Sequence, residues 1–275
     1  MEINIREVFY DKNPKLAKIL PGFVFNYIER IVHQNDLNDI LKKYGHLTGI
    51  EFLRAALGEF NVSVKINGIE NVGTDNRYFF VSNHPLGGFD GILLINVIYQ
   101  YFGNVKVLVN DILMNIKNLE RMFLPINKHG GNSKSAAFAI DEAFGSDIHI
   151  LTFPAGLCSR KNKGRIEDLE WKKNFISKAI SYKRNVVPIF FSGENSNFFY
   201  NLSKIRNKLG IKSNIEMFFL VDELFKHRNK TFTITFGRPI SFGLFNSDKT
   251  HAEWAEAIKR HVYKLESNSA ETFFY

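Results

Sequence analysis

The chain has 275 residues, 45% of them hydrophobic, and a formal net charge of +8. That length suits one domain with an appendage, and the composition suits a packed core. The single cysteine, Cys158, excludes an intrachain disulfide and fits a reducing compartment, and no run approaches the ~18 uninterrupted apolar residues of a membrane span.

The start, Met1-Glu2-Ile3-Asn4-Ile5-Arg6-Glu7, is charged and lacks the apolar region of a secretory leader, so a cytoplasmic location is expected. From residue 13 to 60 the spacing predicts helices. Pro14 opens one with Leu16, Ile19 and Leu20; after Pro21-Gly22, Val24, Ile28, Ile31 and Val32 share a face. Leu37, Ile40, Leu41, Tyr44 and Leu47 follow, then Ile50, Leu53 and Leu57. The period changes at Val62, Val64 and Ile66, which alternate as in a strand, before a turn at Asn67-Gly68. Arg77 to Ser82 reads as a buried strand and Asp90 to Tyr101 as a helix. Val105–Val109 reads as a strand, Ser133–Phe144 as a helix and His149–Phe153 as a strand ended by Pro154. Glu170–Tyr182 is predicted helical, Asn185–Phe191 and Thr231–Phe236 are predicted strands, and residues 249–266 a last helix. Strands alternating with helices give an α/β class: a central mostly parallel or mixed sheet flanked by helices, behind an N-terminal helical segment. The expected division is 1–60 for that segment and 61–275 for the α/β domain.

The positive excess calls for an anionic partner: nucleic acid, an anionic membrane surface, an acidic carrier protein or a phosphorylated substrate. No nucleic-acid-binding motif is visible, so nucleic acid is not expected. The 27 phenylalanines fit a Phe-rich core, an apolar binding tunnel or a membrane-facing patch. Phe23, Phe25 and Tyr27 beside Pro21-Gly22 suit peripheral contact with a membrane; helix packing is the alternative. The basic stretch from Arg206 to Lys230 suits anionic headgroups or an acidic carrier, or simply a solvated face.

The segment richest in chemistry is Asn83-His84-Pro85-Leu86-Gly87-Gly88-Phe89-Asp90. It follows a buried strand, and in open α/β sheets ligands bind beyond the carboxyl ends of strands. His84 there can act as a general base, and Asp90, six positions on, can return its carboxylate to orient the ring. A lone histidine capping a loop is the bland alternative; the strand, Asn83, Gly87, Gly88 and Asp90 together favour the base. After the strand at 149–153 comes Phe153-Pro154-Ala155-Gly156-Leu157-Cys158-Ser159, then a basic stretch with Arg160, Lys161 and Arg165. Arginine forks suit a phosphate or carboxylate head, though a solvated loop has the same composition. Cys158 is read as inert, not as a nucleophile. Asp168, Trp171 and Lys172 lie soon after the basic stretch; Trp171 is read as core and Lys172 as solvated. The remaining histidines lack metal-ligand spacing, so no metal is expected.

These residues resemble the glycerolipid acyltransferase superfamily of the lysophosphatidic acid acyltransferase type. Its hallmark is Asn-His, four residues, then Asp; here five residues intervene, and a turn at Gly87-Gly88 is expected to absorb the extra one. Its Phe-Pro-Glu-Gly-Thr-Arg-Ser segment resembles Phe153 to Ser159, with Ala155 where the family uses Glu for its acceptor. Phe123-Leu124-Pro125-Ile126-Asn127-Lys128 and Val187-Pro188-Ile189 resemble two further segments, in the family's order. His-Pro-Leu-Gly-Gly and Phe-Pro-Ala-Gly look closest to a bacterial subgroup labelled hemolysin or acyltransferase, some of whose members make glycine and ornithine lipids.

The resemblance implies acyl transfer to a lipid hydroxyl, on an amino-acid lipid or lysophospholipid acceptor. The donor would be acyl carrier protein or coenzyme A thioester, with no metal and no tightly bound cofactor. It implies His84 and Asp90 as the catalytic pair. Asn83, Gly87, Gly88, Lys128, Phe153, Pro154, Gly156, Ser159, Arg160, Lys161 and Arg165 would contact substrate. Backbone donors near Gly87-Gly88 or Gly156 would meet the oxyanion. The setting would be peripheral, on the inner face of the cytoplasmic membrane. A thioesterase or lipid hydrolase using the same base on water, and a non-enzymatic module binding anionic membrane or nucleic acid, are the alternatives. Acceptor dependence separates the first, and the effect of losing His84 the second.

Overall fold

Tyr78-Phe79-Phe80-Val81-Ser82 is buried at every residue, as expected of a strand covered by helices on both faces of a parallel sheet. The computed structural model, which describes residues 2–274 apart from 13, 75, 127–132 and 163, places it at the centre of a seven-stranded sheet. Five helices come first: α1 (Ile5–Lys12), α2 (Pro14–Ile19), α3 (Gly22–Ile31), α4 (Gln34–Tyr44) and α5 (Gly49–Gly58). Then follow β1 (Ser63–Asn67), β2 (Tyr78–Ser82), α6 (Gly88–Phe102), β3 (Val105–Val109) and β4 (Phe123–Pro125). Next are α7 (Ser133–Gly145), β5 (His149–Thr152), β6 (Arg160–Asn162), β7 (Arg165–Glu167), α8 (Asn174–Ser181) and β8 (Asn185–Phe191). The last are α9 (Asn197–Lys208), α10 (Leu220–Phe225), β9 (Thr231–Phe236) and α11 (His251–Lys264).

The sheet order is β1-β9-β8-β2-β5-β3-β4. All neighbours are parallel except β8 and β9, so the sheet is mixed but mostly parallel. Side chains alternate across it. Phe79 and Val81 join Phe144, Phe175, Ile176, Trp254 and Ile258 in one core. Tyr78 and Phe80 enter an aromatic cluster with Phe102 at the end of α6, and Phe80 and Phe102 meet Phe236 of β9. Each fully buried Phe contributes roughly 1.5–3 kcal/mol. His149 is structural: Nδ1 accepts the Tyr78 N–H at 3.1 Å and Nε2 lies 3.1 Å from the Phe102 carbonyl, which suits the neutral ring; burial pushes its pKa down.

The chain forms two units. One comprises Met1–Val62 with Asn195–Lys230, and the other Ser63–Glu194 with Thr231–Tyr275. The sequence divides visibly only near residue 60, whereas the segment 195–230 packs with the N-terminal helices. Phe60 meets Phe225 edge-on at 5.2 Å, Phe9 stacks on Phe218 at 6.1 Å, and the His33 ring lies flat on Phe225 at 4.0 Å. Short helices such as α10 cannot bury these rings alone, and the pairing spans more than 150 residues, which no local pattern encodes.

Other differences are local. The helix predicted from Glu170 begins only at Asn174, because Trp171 is held beforehand by a hydrogen bond to Asp168. The basic stretch after Ser159 forms a small antiparallel hairpin, β6–β7.

Arg184, wholly buried, closes the carboxyl end of α7. Its guanidinium donates to the carbonyls of Ala143, Phe144, Ser146 and Ile148. Burial, with Arg77 nearby, lowers its pKa to about 10, so it stays charged at neutral pH. Arg184→Met is expected to destabilise the fold by ~3 kcal/mol or more, because buried carbonyls lose their donors; urea unfolding measures it.

Candidate active site

β8, β2 and β5 are adjacent and parallel, so their carboxyl ends lie side by side at one edge of the sheet. Asn83 and His84 follow β2, and Phe153 to Ser159 follows β5. Asn83 is buried and its amide is turned into the protein. Nδ2 donates to the Phe191 carbonyl at 2.9 Å, and Oδ1 accepts the Phe191 N–H at 2.7 Å. Expected at the substrate, it instead stitches the ends of β2 and β8, whose polar groups would otherwise be buried unpaired.

Five intervening residues still bring the carboxylate to the ring: His84 Nδ1 lies 2.9 Å from Asp90 Oδ1. Gly87 makes the return, with φ 77° and ψ −126°, a conformation that favours glycine. The exposed Gly88 then starts α6, and Asp90 falls in its first turn. Asp90 is fully buried; Oδ2 accepts the Leu86 N–H at 2.9 Å and Oδ1 the Gly91 N–H at 2.7 Å. The two atoms are at hydrogen-bonding distance, and the carboxylate favours the protonated ring both by its charge and by that contact. Phe153 stacks on the ring, centroids 4.1 Å apart. No described protein group pairs with His84 Nε2.

A second carboxylate completes the surroundings. Asp168 Oδ1 accepts the His84 backbone N–H at 3.1 Å and the Ser159 hydroxyl at 2.6 Å, and Oδ2 accepts the Trp171 indole N–H at 2.8 Å. The His84 carbonyl accepts the Ser159 N–H at 2.8 Å. Ser159, expected to touch substrate, is therefore buried and committed to this network. Burial works against a charged His84, but Asp90 and then Asp168 overrule it and raise its pKa. Burial pushes the Asp168 carboxyl up, against its donors.

Pro154 is buried and its carbonyl accepts the Lys172 N–H at 3.0 Å. Gly156 is exposed with φ 68°, and a Cβ there would stand 3.0 Å from Lys172 Nζ, so this exposed ammonium lies over the glycine. Arg160 folds back, donating to the Cys158 and Ser159 carbonyls and touching the buried Cys158 sulfur at 3.0 Å. Lys161 and Arg165 sit on opposite strands of the hairpin, Arg165 exposed. Lys128 lies outside the described residues. Sequence reasoning noted Asp168 by position only and treated Lys172 as merely solvated. The only signal for Asp168 in the sequence was its place between the basic stretch and Trp171.

A family model described as Acyltransferase matches residues 7–272. The lyso-glycine lipid O-acyltransferase of Bacteroides thetaiotaomicron is 48% identical over 264 residues, 96% of this chain and 97% of that protein. The lyso-glycine lipid O-acyltransferase of Phocaeicola vulgatus is 47% identical over 264 residues, covering 96% and 95%. The crystal structure of the 1-acyl-sn-glycerophosphate acyltransferase PlsC from Thermotoga maritima aligns over 90% of this chain and 95% of that one, with a TM-score of 0.46 and 17% identity.

Proposed function

The chain belongs to the Acyltransferase family, and from that premise we propose that it moves a fatty acyl group from a thioester donor to the hydroxyl of an amino-acid lipid such as a lyso-glycine lipid. Acyl carrier protein or coenzyme A carries the acyl group. The observation that carries the reading is the His84–Asp90 contact of 2.9 Å at the carboxyl ends of β2 and β5. With Nδ1 held by the carboxylate, Nε2 takes the acceptor's proton as its oxygen attacks the thioester carbonyl. The ester C–O bond forms, the C–S bond breaks, and the imidazolium returns its proton to the departing thiolate. The Leu86 N–H is committed to Asp90, so the N–H groups of Gly87 and Gly88, before the first turn of α6 is satisfied, are the oxyanion donors.

Support for the acceptor class comes from two sides. Two relatives near 48% identity carry that activity in their names. Ala155 replaces the acceptor-binding glutamate of the glycerophosphate-type motif, and Lys172 over Gly156, with Arg160, Lys161 and Arg165 in the following segment, supplies positive charge for a carboxylate head. The test is thiol release by the purified protein with lyso-glycine lipid, with lysophosphatidic acid and without acceptor. Ester formation on the glycine lipid is expected; equal release without acceptor would favour a thioesterase, and preference for lysophosphatidic acid would overturn the acceptor class.

No described helix is long and apolar enough to cross a membrane, so a lipid acceptor is met at a surface. In the helical unit, Tyr27 and Phe198, both exposed, pack edge-on against Phe219 at 6.5 and 5.0 Å. Phe23, Ile205 and Leu209 are exposed by 73%, 57% and 67%; Lys204 and Lys208 lie on α9 and Lys212 follows it. Apolar side chains with flanking lysines suit an anionic bilayer, on the cytoplasmic face. Ile205→Glu with Leu209→Glu is expected to cut sedimentation with phosphatidylglycerol vesicles at least about fivefold, from lost apolar insertion and added charge.

A further inference from the structure

We propose that Asp168 is the positioning residue that seats the base: one buried carboxylate oxygen ties the His84 backbone to the turn facing it, and its charge adds to that of Asp90 on the imidazole. This rests on the reading of His84 as the base.

The network is specific to His84 in a way that ordinary packing is not. Asp168 Oδ1 holds the His84 N–H at 3.1 Å, while the Ser159 N–H holds the His84 carbonyl at 2.8 Å. Both main-chain polar groups of the base are therefore taken by the segment that follows β5. Ser159 is itself held to the same oxygen through its hydroxyl at 2.6 Å. The other oxygen is fixed by the indole of Trp171 at 2.8 Å, and Trp171 is buried. The Asp168 N–H donates to the Tyr263 hydroxyl of α11 at 2.7 Å. Ser159, His84 and Trp171 all donate to this side chain, so the ionised form fits and a protonated carboxyl has no role to fill. The acidic groups facing His84 are thus Asp90 from α6 and Asp168 from the loop before α8, and Tyr263 from α11 faces Asp168 in turn. An anchor of this kind acts on rate more than on affinity, because a small misplacement of the reacting nitrogen is amplified in the barrier.

The test is the pH dependence of kcat and KM, measured on the full chain with acyl donor and lyso-glycine lipid, for the wild type, Asp168→Asn, Trp171→Phe and His84→Ala. Asp168→Asn keeps the shape of the side chain and removes the charge. Its kcat is expected to fall about 10- to 100-fold, with KM within about twofold. The midpoint of its kcat/KM profile is expected to move to lower pH, because the imidazolium loses one of its two anionic neighbours. A purely structural role would lower thermal stability and leave the midpoint in place. A folded Asp168→Asn with wild-type kcat and midpoint would therefore overturn the proposal. If Asp168→Asn does not fold, Trp171→Phe decides: it frees Oδ2 and keeps the charge. A several-fold loss of kcat at unchanged KM and midpoint is expected, and wild-type kcat would overturn the seating role. His84→Ala keeps the two ideas apart. If it is inactive while Asp168→Asn behaves as wild type, only the seating role fails. If it remains active, the base itself was wrong.

Discussion

His84→Ala is expected to lower kcat by about 10³-fold, within the 10²–10⁴ range of a positioned general base, while the protein remains folded. The fold survives because the ring is not an anchor: the two main-chain groups of His84 carry the hydrogen bonds to Asp168 and Ser159, and alanine keeps them. Asp90 keeps the Leu86 and Gly91 N–H groups. What disappears is the nitrogen that takes the acceptor's proton. In the wild type, kcat/KM should rise with pH as the imidazole loses its proton. The midpoint should lie above the ordinary histidine value of about 6.5, because Asp90 and Asp168 favour the charged ring more than burial disfavours it. A pH–rate profile over pH 5–9 beside circular dichroism of the variant checks both parts. A flat profile, or a variant within about threefold of wild type, would remove His84 from the mechanism.

Asp90→Asn carries the second large effect, and it reaches both rate and stability. Two backbone N–H groups, from Leu86 and Gly91, point at different carboxylate oxygens. An amide has one acceptor oxygen, so its NH₂ must face one of those donors inside a fully buried site. That costs about 1–3 kcal/mol. The imidazole also loses the charge that supports its protonation and orients Nδ1, so kcat is expected to fall about 10²-fold or more. KM should change little, because this carboxylate is turned away from any acceptor. Steady-state kinetics with thermal unfolding separate the contributions, and a stability loss without a kcat loss would mean that Asp90 only shapes the loop.

The α/β class was readable because strands such as Tyr78–Ser82 and Thr231–Phe236 announce themselves by apolar content and period. The helix predicted to end at Tyr101 ends at Phe102, and the helix predicted over 249–266 is α11, which starts at His251 behind a Thr250–Glu253 capping box that only the structure shows. The His84–Asp90 pair was readable because both residues lie in one eight-residue segment. Asp168 was not, because its importance depends on which backbone it meets 84 residues earlier. Nor was the inward turn of Asn83 and Ser159: their polarity marks them equally for substrate or for the protein's own buried amides, and only the packed strand ends decide. The membership of residues 195–230 in the helical unit was hidden for the same reason, since Phe218, Phe219 and Phe225 show that they need burial but not against which helices.

By itself, the sequence determined six of the seven sheet strands and the segment Asn83 to Asp90, because local periodicity and short-range loop geometry are written in neighbouring residues, and its resemblance to a known family pointed to the class of chemistry. The tertiary structure alone decided that an extra residue in that segment still closes the His84–Asp90 contact, through the left-handed turn at Gly87. It alone added the second carboxylate behind His84, because hydrogen bonds between segments distant in the chain depend on how strands are ordered in the sheet.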